Sequence, residues 1–385
     1  MHLPHGNLIC VNTAELPLLY NHSVNSTPDV AEFRQRLLQW FDQHARDLPW
    51  RRSRDPYAIW VSEIMLQQTR VAAVLEHYAR FMQRFPDLTT LAAATEDEVL
   101  AHWSGLGYYR RARMLHRAAQ FVAEQLQGHL PSTAADLRKL PGIGEYTCAA
   151  IASIGFGEPV ACVDGNVERV VRRIQGWGEL HGSSAKVRIE AARFLAPQRP
   201  GDFNQAMMEL GATVCLPRGP LCLQCPVREM CRTQGEHLII ERRKMRSKEL
   251  AYALLRRNIT SDTTTAVKTE VLLEQRPSSA SLMPGMWELP PISAGHPVET
   301  KEALTLRHSI TDTNYYVTIR EFAPEDLNQL LQPKATRIWF SVDELHTLPL
   351  TGLTRKALKR LRLWPGYSEK GPMVVLHRTK HELLF

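Results

Sequence analysis

Four cysteines, Cys215, Cys222, Cys225 and Cys231, lie within seventeen residues at the spacing C-x6-C-x2-C-x5-C. Four thiolates this close can close a tetrahedral sulfur cage around a metal ion or a cubane cluster. Zinc ribbons usually show two C-x2-C pairs, and here only Cys222 and Cys225 form one. The uneven 6-2-5 spacing therefore fits a [4Fe–4S] cubane better, although spacing alone leaves zinc open. About seventy residues upstream stands Leu140-Pro141-Gly142-Ile143-Gly144, a turn able to present a row of backbone N–H groups to a phosphate. Each feature narrows the meaning of the other. Together they point to a nucleic-acid enzyme with a structural metallocluster.

At 385 residues the chain has room for two or three domains with their own cores. Apolar content of 44% and charged content of 23% are those of an ordinary globular protein. The 47 Lys and Arg against 40 Asp and Glu are a mild lean toward an anionic partner. No apolar run approaches the roughly 18 residues of a membrane span. The first thirty residues hold no Lys or Arg, so a secretory signal or transit peptide is not expected. A soluble cytoplasmic monomer, nucleoid-associated when on DNA and with no membrane partner, is the expectation. Beyond the cluster, Cys10, Cys148 and Cys162 are an odd, scattered set, which argues against a disulfide framework.

Residues 1–27 show no sustained period and read as an amino-terminal tail. From Thr27-Pro28, taken as N-cap and first helical position, the period is helical, with Val30, Phe33, Leu37 and Trp40 on one face. Val71, Leu75, Tyr78 and Met82 mark another helix, and Thr95 with Glu98 forms a capping box before a third. Residues 28–235 are thus expected to be an all-α domain that carries the cysteine module. Residues 236–249, with five basic residues between 241 and 248, read as a basic linker. Residues 250–366 read as a compact α/β domain, with strands at Leu250–Leu255, Val267–Leu273, Tyr315–Ile319 and Arg337–Phe340. Thr260–Thr265 reads as a turn-rich separator and Leu353 to about Leu363 as a helix. Residues 367–385 complete the chain as a carboxy-terminal tail.

Within the helical half, the Pro-Gly-Ile-Gly turn sits between a helix opened by Ser132/Thr133 and a further apolar helix, a helix-hairpin-helix arrangement; a plain turn would look the same. Glu63 is one acid in the apolar run Tyr57–Met65, where burial raises a carboxyl pKa and suits it to general-acid work. The bland alternative is a Glu on a helix surface. Gln67-Gln68-Thr69 follow as neutral hydrogen-bonding groups able to enter a base stack. Trp103-Ser104-Gly105-Leu106-Gly107-Tyr108-Tyr109-Arg110 adds an aliphatic wedge and aromatics beside positive charge, which suits a distorted duplex or, more plainly, a helix–loop core contact. Val163-Asp164-Gly165-Asn166-Val167 sets a carboxylate where it caps a helix and stays ionised.

From Pro49-Trp50-Arg51 through Cys231, these motifs resemble those of the helix-hairpin-helix DNA glycosylase superfamily, and within it the MutY family of adenine glycosylases. The resemblance implies a monofunctional enzyme that hydrolyses the N-glycosidic bond of adenine paired with 8-oxoguanine or guanine in double-stranded DNA, in base excision repair. It makes Glu63 the catalytic acid, Asp164 the carboxylate beside the sugar, and Tyr146 and Asn166 their assistants. Gln68, Thr69, Leu106 and Tyr108 become lesion contacts, Gly142 and Gly144 phosphate contacts, and the four cysteines ligands of one [4Fe–4S] cluster. Endonuclease III-like members carry Lys where Tyr146 stands, and a tyrosine forms no Schiff base for strand cleavage. The second half resembles the Nudix-like module through Pro284-Gly285-Met286-Trp287-Glu288-Leu289-Pro290, without the Nudix metal box. Where relatives carry Phe-Ser-His, this chain has Arg307-His308-Ser309-Ile310-Thr311, so Ser309 or Thr311 is expected to meet the lesion. An endonuclease III-like lyase and a non-catalytic Fe–S DNA-binding protein are the competing readings.

Overall fold

The computed structural model describes residues 29–178, 183–236, 245–261, 264–292, 302–310, 312–326 and 335–365. The two tails and Thr311 lie outside these residues, as does most of the segment read as a linker. The first half is all-α. Its helices are α1 (Val30–His44), α2 (Pro56–Leu66), α3 (Val71–Arg84), α4 (Leu88–Ala93), α5 (Glu96–Trp103), α6 (Arg110–Gln125), α7 (Ala134–Leu137), α8 (Glu145–Gly155), α9 (Gly165–Gln175), α10 (Ser184–Phe194) and α11 (Pro200–Thr213). Among the described residues no helix is long and apolar enough to cross a membrane.

Helix ends follow local chemistry. Asp29, not Thr27, caps α1, its carboxylate accepting the Ala31 N–H at 2.8 Å. The Thr95/Glu98 capping box of α5 is present in both directions. On α3 the buried stripe is Val74, Tyr78 and Phe81, so Leu75 faces outward at 37% exposure. Both stripes satisfy the helical period, and the one that buries the Phe81 ring prevails.

Two apolar cores divide the helical half. One gathers residues of α2 to α8 around Trp60, Phe81, Phe85 and Trp103. The other gathers α1, α9, α10 and α11 around Phe33, Phe194 and Phe203. Helix α2 is buried on nearly every side from Tyr57 to Met65, and it packs on α8, which also meets α11. The seam between the two cores therefore runs past α2, α8, α9 and α11.

The second half is a mixed sheet of seven strands among the described residues: β1 (Arg246–Ser261), β2 (Thr264–Gln275), β3 (Trp287–Glu288), β4 (Pro291–Ile292), β5 (Glu302–Ile310), β6 (Thr313–Phe322) and β7 (Arg337–Ser341). The order β3-β2-β1-β6-β5 has β1 antiparallel to β2 but parallel to β6. One helix, α12 (Gly352–Arg360), packs its Leu353, Ala357 and Leu358 into the sheet's core. Two expectations change. Strand β1 begins at Arg246, inside the stretch read as linker, because Arg246–Leu255 pair residue by residue with β6. The turn expected at Thr260–Thr265 is narrower than read, since β1 runs to Ser261 and β2 starts at Thr264, its pairing partner.

The halves are joined by more than the chain. Met286 is fully buried within the helical core. The Leu350 carbonyl accepts from the Tyr109 hydroxyl at 2.9 Å and the Ser104 hydroxyl at 3.3 Å. Arg113 donates to the Pro284 carbonyl at 2.7 Å, and Arg355 to the Ser104 carbonyl. The second half thus sits on the 103–109 loop.

Candidate active site

Helix α2 carries Glu63 into the seam with 6% of its surface exposed. Burial raises the Glu63 carboxyl to about 7, and the charge of Asp164 pushes the same way. Two groups oppose this: the Tyr146 hydroxyl, which donates to Glu63 Oε2 at 2.6 Å, and the positive charge of Arg51. The carboxyl is thus poised between its two charge states near neutrality, as a proton donor needs to be. The Tyr146 hydroxyl is itself held well above its usual pKa, by burial first and the neighbouring carboxylates second. It stays a donor.

Asp164 is the N-cap of α9. Its Oδ1 accepts the Val167 N–H at 2.8 Å and its Oδ2 accepts the Asn166 amide at 2.9 Å. Both donors hold the carboxylate in place. Asn166 is set by close packing: a Cβ on Gly211 of α11 would stand 2.6 Å from the Asn166 Cβ. Arg169 extends the chain of contacts, donating to Asn166 Oδ1 at 2.9 Å, the Gly211 carbonyl at 2.6 Å and the Cys215 carbonyl at 2.9 Å. The charged carboxylate and the cysteine segment are therefore tied through two side chains.

The hairpin joins α7 and α8. Gly142 has φ +75°, and a Cβ there would fall 2.4 Å from the Met114 side chain, so only glycine fits on both counts. Gly144 differs: it caps α8 at φ −88°, ψ 173°, a conformation open to any residue. Of the two, Gly142 alone needs a glycine's backbone freedom.

The lesion-contact positions lie on two turns. Gln68 (φ 55°) and Tyr108 (φ 49°) are both left-handed non-glycine residues, and both are exposed. Thr69 is half-buried and donates to the Gln67 carbonyl. Leu106 departs from expectation. It is no projecting wedge; it is 6% exposed and packed in the helical core. Trp103 donates its indole N–H to the Gly107 carbonyl at 3.1 Å, closing the loop over Leu106. Ser309, on β5, is exposed, with its hydroxyl donating to Asn314 Oδ1 at 2.7 Å.

The four cysteines line one small cavity with Arg173, Val214, Pro220 and Arg228. Among the described residues no group of three or more ligating side chains is arranged around a point that holds a single ion. Arg173, itself buried, donates to Cys215 Sγ at 3.3 Å and to the carbonyls of Leu216 at 2.6 Å and Pro217 at 3.0 Å. Burial first, and the neighbouring sulfurs after it, push the Cys225 thiol up to about 12. A cationic cluster would reverse that order by binding the thiolates.

Sequence reasoning missed a second buried acid. Glu209 on α11 is 1% exposed, and Arg46 and Arg51 close on it at 2.6 and 2.8 Å. Burial raises its pKa, but hydrogen bonds from the two guanidiniums outweigh this and lower it. The available signal was the run Met207-Met208-Glu209-Leu210, a lone acid among apolar residues like Glu63. Met208 was missed too; its sulfur lies 3.1 Å from the Tyr146 hydroxyl.

The family model of HhH-GPD superfamily base excision DNA repair proteins matches residues 61–197, which contain Glu63, the hairpin, Tyr146 and Asp164. An adenine DNA glycosylase from Homo sapiens is 50% identical over 225 residues, covering 55% of this chain and 41% of that one. Another from Buchnera aphidicola subsp. Baizongia pistaciae is 38% identical over 203 residues, covering 52% of this chain and 58% of that one. Over this stretch the chain resembles adenine DNA glycosylases and other base excision repair proteins of the helix-hairpin-helix superfamily. A solved thermostable thymine-DNA glycosylase is similar with a TM-score of 0.50 and 30% identity, covering 53% of this chain and 96% of that one. The chain spans about half the length of the curated relatives it matches. The human match covers little more than half of this chain, an extent close to that of the helical half.

Proposed function

We propose that the chain is a monofunctional adenine DNA glycosylase, which removes adenine paired with 8-oxoguanine or guanine from duplex DNA by hydrolysing the N-glycosidic bond. The observation that carries this reading is the buried Glu63 carboxyl near pKa 7, held by the Tyr146 hydroxyl and close to the N-capping Asp164. Two carboxyl groups kept in different charge states are the division of labour in glycoside hydrolysis. The adenine leaves the stack, at a cost that a mispair lessens. Protonated Glu63 donates to N7 and improves the leaving group. Asp164, rigid and ionised, stabilises the oxocarbenium character of the sugar or captures it, and water completes the hydrolysis. Tyr146 stands where a lyase needs an amine, so the reaction stops at the abasic site.

Gly142, Gly144 and the start of α8 face a phosphate in this reading. Gln68, Thr69 and Tyr108 meet the base opposite the adenine; Leu106 joins them only if its loop turns outward. The second half serves as a Nudix-like reader of 8-oxoguanine, with Ser309 in reach once it leaves Asn314. A duplex with a single A opposite 8-oxoguanine tests the function: free adenine is expected, with strands intact until alkali is added. Strand breaks without alkali favour a lyase, and binding without adenine release favours a non-catalytic DNA-binding protein.

Cys215, Cys222, Cys225 and Cys231 would hold a [4Fe–4S] cluster, which when bound supplies a fixed four-sulfur crosslink to the segment. Arg173 orients the first of these sulfurs, and Arg218, exposed in the same loop, would face a phosphate in this reading. Purified protein is expected to be yellow-brown, with iron and sulfide at about four each per chain. Stoichiometric zinc without iron in an anaerobic preparation would overturn this assignment.

A further inference from the structure

Arg111, on the first turn of α6, is part of the positive charge beside the Trp103–Arg110 run, and its guanidinium is spent on protein carbonyls. Its Nη1 donates to carbonyls of Ile64 at 2.7 Å and Met65 at 3.2 Å, and to the Gln67 carbonyl. Its Nη2 reaches Thr69 Oγ1 at 3.2 Å and the Gly107 carbonyl at 3.4 Å. The guanidinium also lies beside the rings of Tyr108, at 5.1 Å, and Trp103, at 5.6 Å. Three features set this apart from an ordinary buried arginine. Among the described residues no carboxylate pairs with it. Helix α2, which carries Glu63, has no basic residue in its own last turn, so Arg111 supplies the positive charge its carbonyl end favours. Finally, the Gln67 and Gly107 carbonyls belong to the peptide units that precede Gln68 and Tyr108, the two left-handed non-glycine residues of the turns.

A non-glycine residue stays in the left-handed region only when its surroundings over-determine it. Here one side chain grips both strained turns and the end of the catalytic helix at once. We infer that Arg111 is a positioning residue that registers the two base-facing turns against the Glu63 helix, so that the identity of the base opposite adenine is conveyed to the catalytic acid. This rests on the glycosylase reading and deepens it. Lysine is no substitute, because a single ammonium cannot span five acceptors on three segments.

The test compares wild type, Arg111→Lys and Arg111→Met on duplexes with A opposite 8-oxoguanine and A opposite guanine. Single-turnover rates are normalised to titrated active sites, so that misfolded protein does not count. Both variants are expected to lose about tenfold in the ratio of the two rates, as the strained turns relax. If neither variant yields active sites, Arg111→Gln carries the test: its amide keeps one donor for the Gln67 carbonyl, and a loss of about threefold in the ratio is expected. A uniform fall on both duplexes with the ratio unchanged overturns the inference, as does a lysine variant that matches wild type. Absence of adenine release by wild type overturns the glycosylase reading itself.

Discussion

Glu63→Gln is expected to lower the single-turnover rate of adenine release by about 10²–10⁴-fold, the usual worth of a general acid. The amide keeps the shape of the carboxyl and its acceptor for the Tyr146 hydroxyl, so binding of the mispaired duplex should persist. A second effect runs the other way. A carboxyl whose pKa rises on folding favours the fold below its unfolded pKa of 4.5, and that contribution is lost as pH climbs through about 7. Ionised in the seam, Glu63 costs about 3 kcal/mol relative to its protonated form. Glu63→Gln should therefore melt higher than wild type at pH 8 and close to it at pH 5. The wild-type rate should fall on the same alkaline limb, as the proton leaves Glu63. Retained turnover in the variant, or a rate that climbs steadily from pH 7 to 9, contradicts the role given to Glu63.

A chain ended near Arg242 is expected to keep the cysteine module and still release adenine, while losing its preference for 8-oxoguanine over guanine. Tethering the second half holds its contacts at high effective concentration, so affinity for the 8-oxoguanine duplex should fall by about 10²-fold. The structure adds a cost that composition does not reveal. Met286 fills the helical core, and its loss from a buried site removes about 3 kcal/mol. The Tyr109 and Ser104 hydroxyls lose the Leu350 carbonyl as well. The truncated chain should melt about 6–12 °C below the full one, if each kcal/mol is worth a few degrees at this size. Met286→Ala in the full chain separates the two causes, since it should lower the melting temperature and leave the tether. Equal discrimination by truncated and full chains would place lesion reading in the helical half alone.

Much of the molecule was legible because its signals are local. The helical half is written in the 3.6-residue period of its apolar residues, the cysteine module in its spacing, and the hairpin in a glycine that no other residue replaces at φ +75°. The sheet was visible as β-rich segments, but its order was not. That β1 runs parallel to β6 and starts at Arg246 depends on pairing across more than sixty residues of chain, which no local pattern records. Leu106 shows the same limit. Its neighbours suggest a wedge, yet whether a leucine on a glycine-rich loop points out or in depends on the core beneath it, and here it is buried in the cluster that holds Trp103.

The two buried acids mark the boundary most clearly. Glu63 and Glu209 have the same signature, a single acid in an apolar stretch of helix, and sequence reasoning singled out Glu63 through its neighbours and the family resemblance. Tertiary structure decides what each one is. Glu209 meets Arg46 and Arg51 and is held ionised. Glu63 meets a neutral hydroxyl from a residue 83 positions away and the repulsion of Asp164, and its proton stays until about pH 7. By itself the sequence determined that single acids would sit in apolar stretches of these helices, because helical period and apolar flanks are short-range properties. Which of them keeps a proton depends on the charges the fold brings within a few ångströms, and desolvation makes that choice worth several kcal/mol.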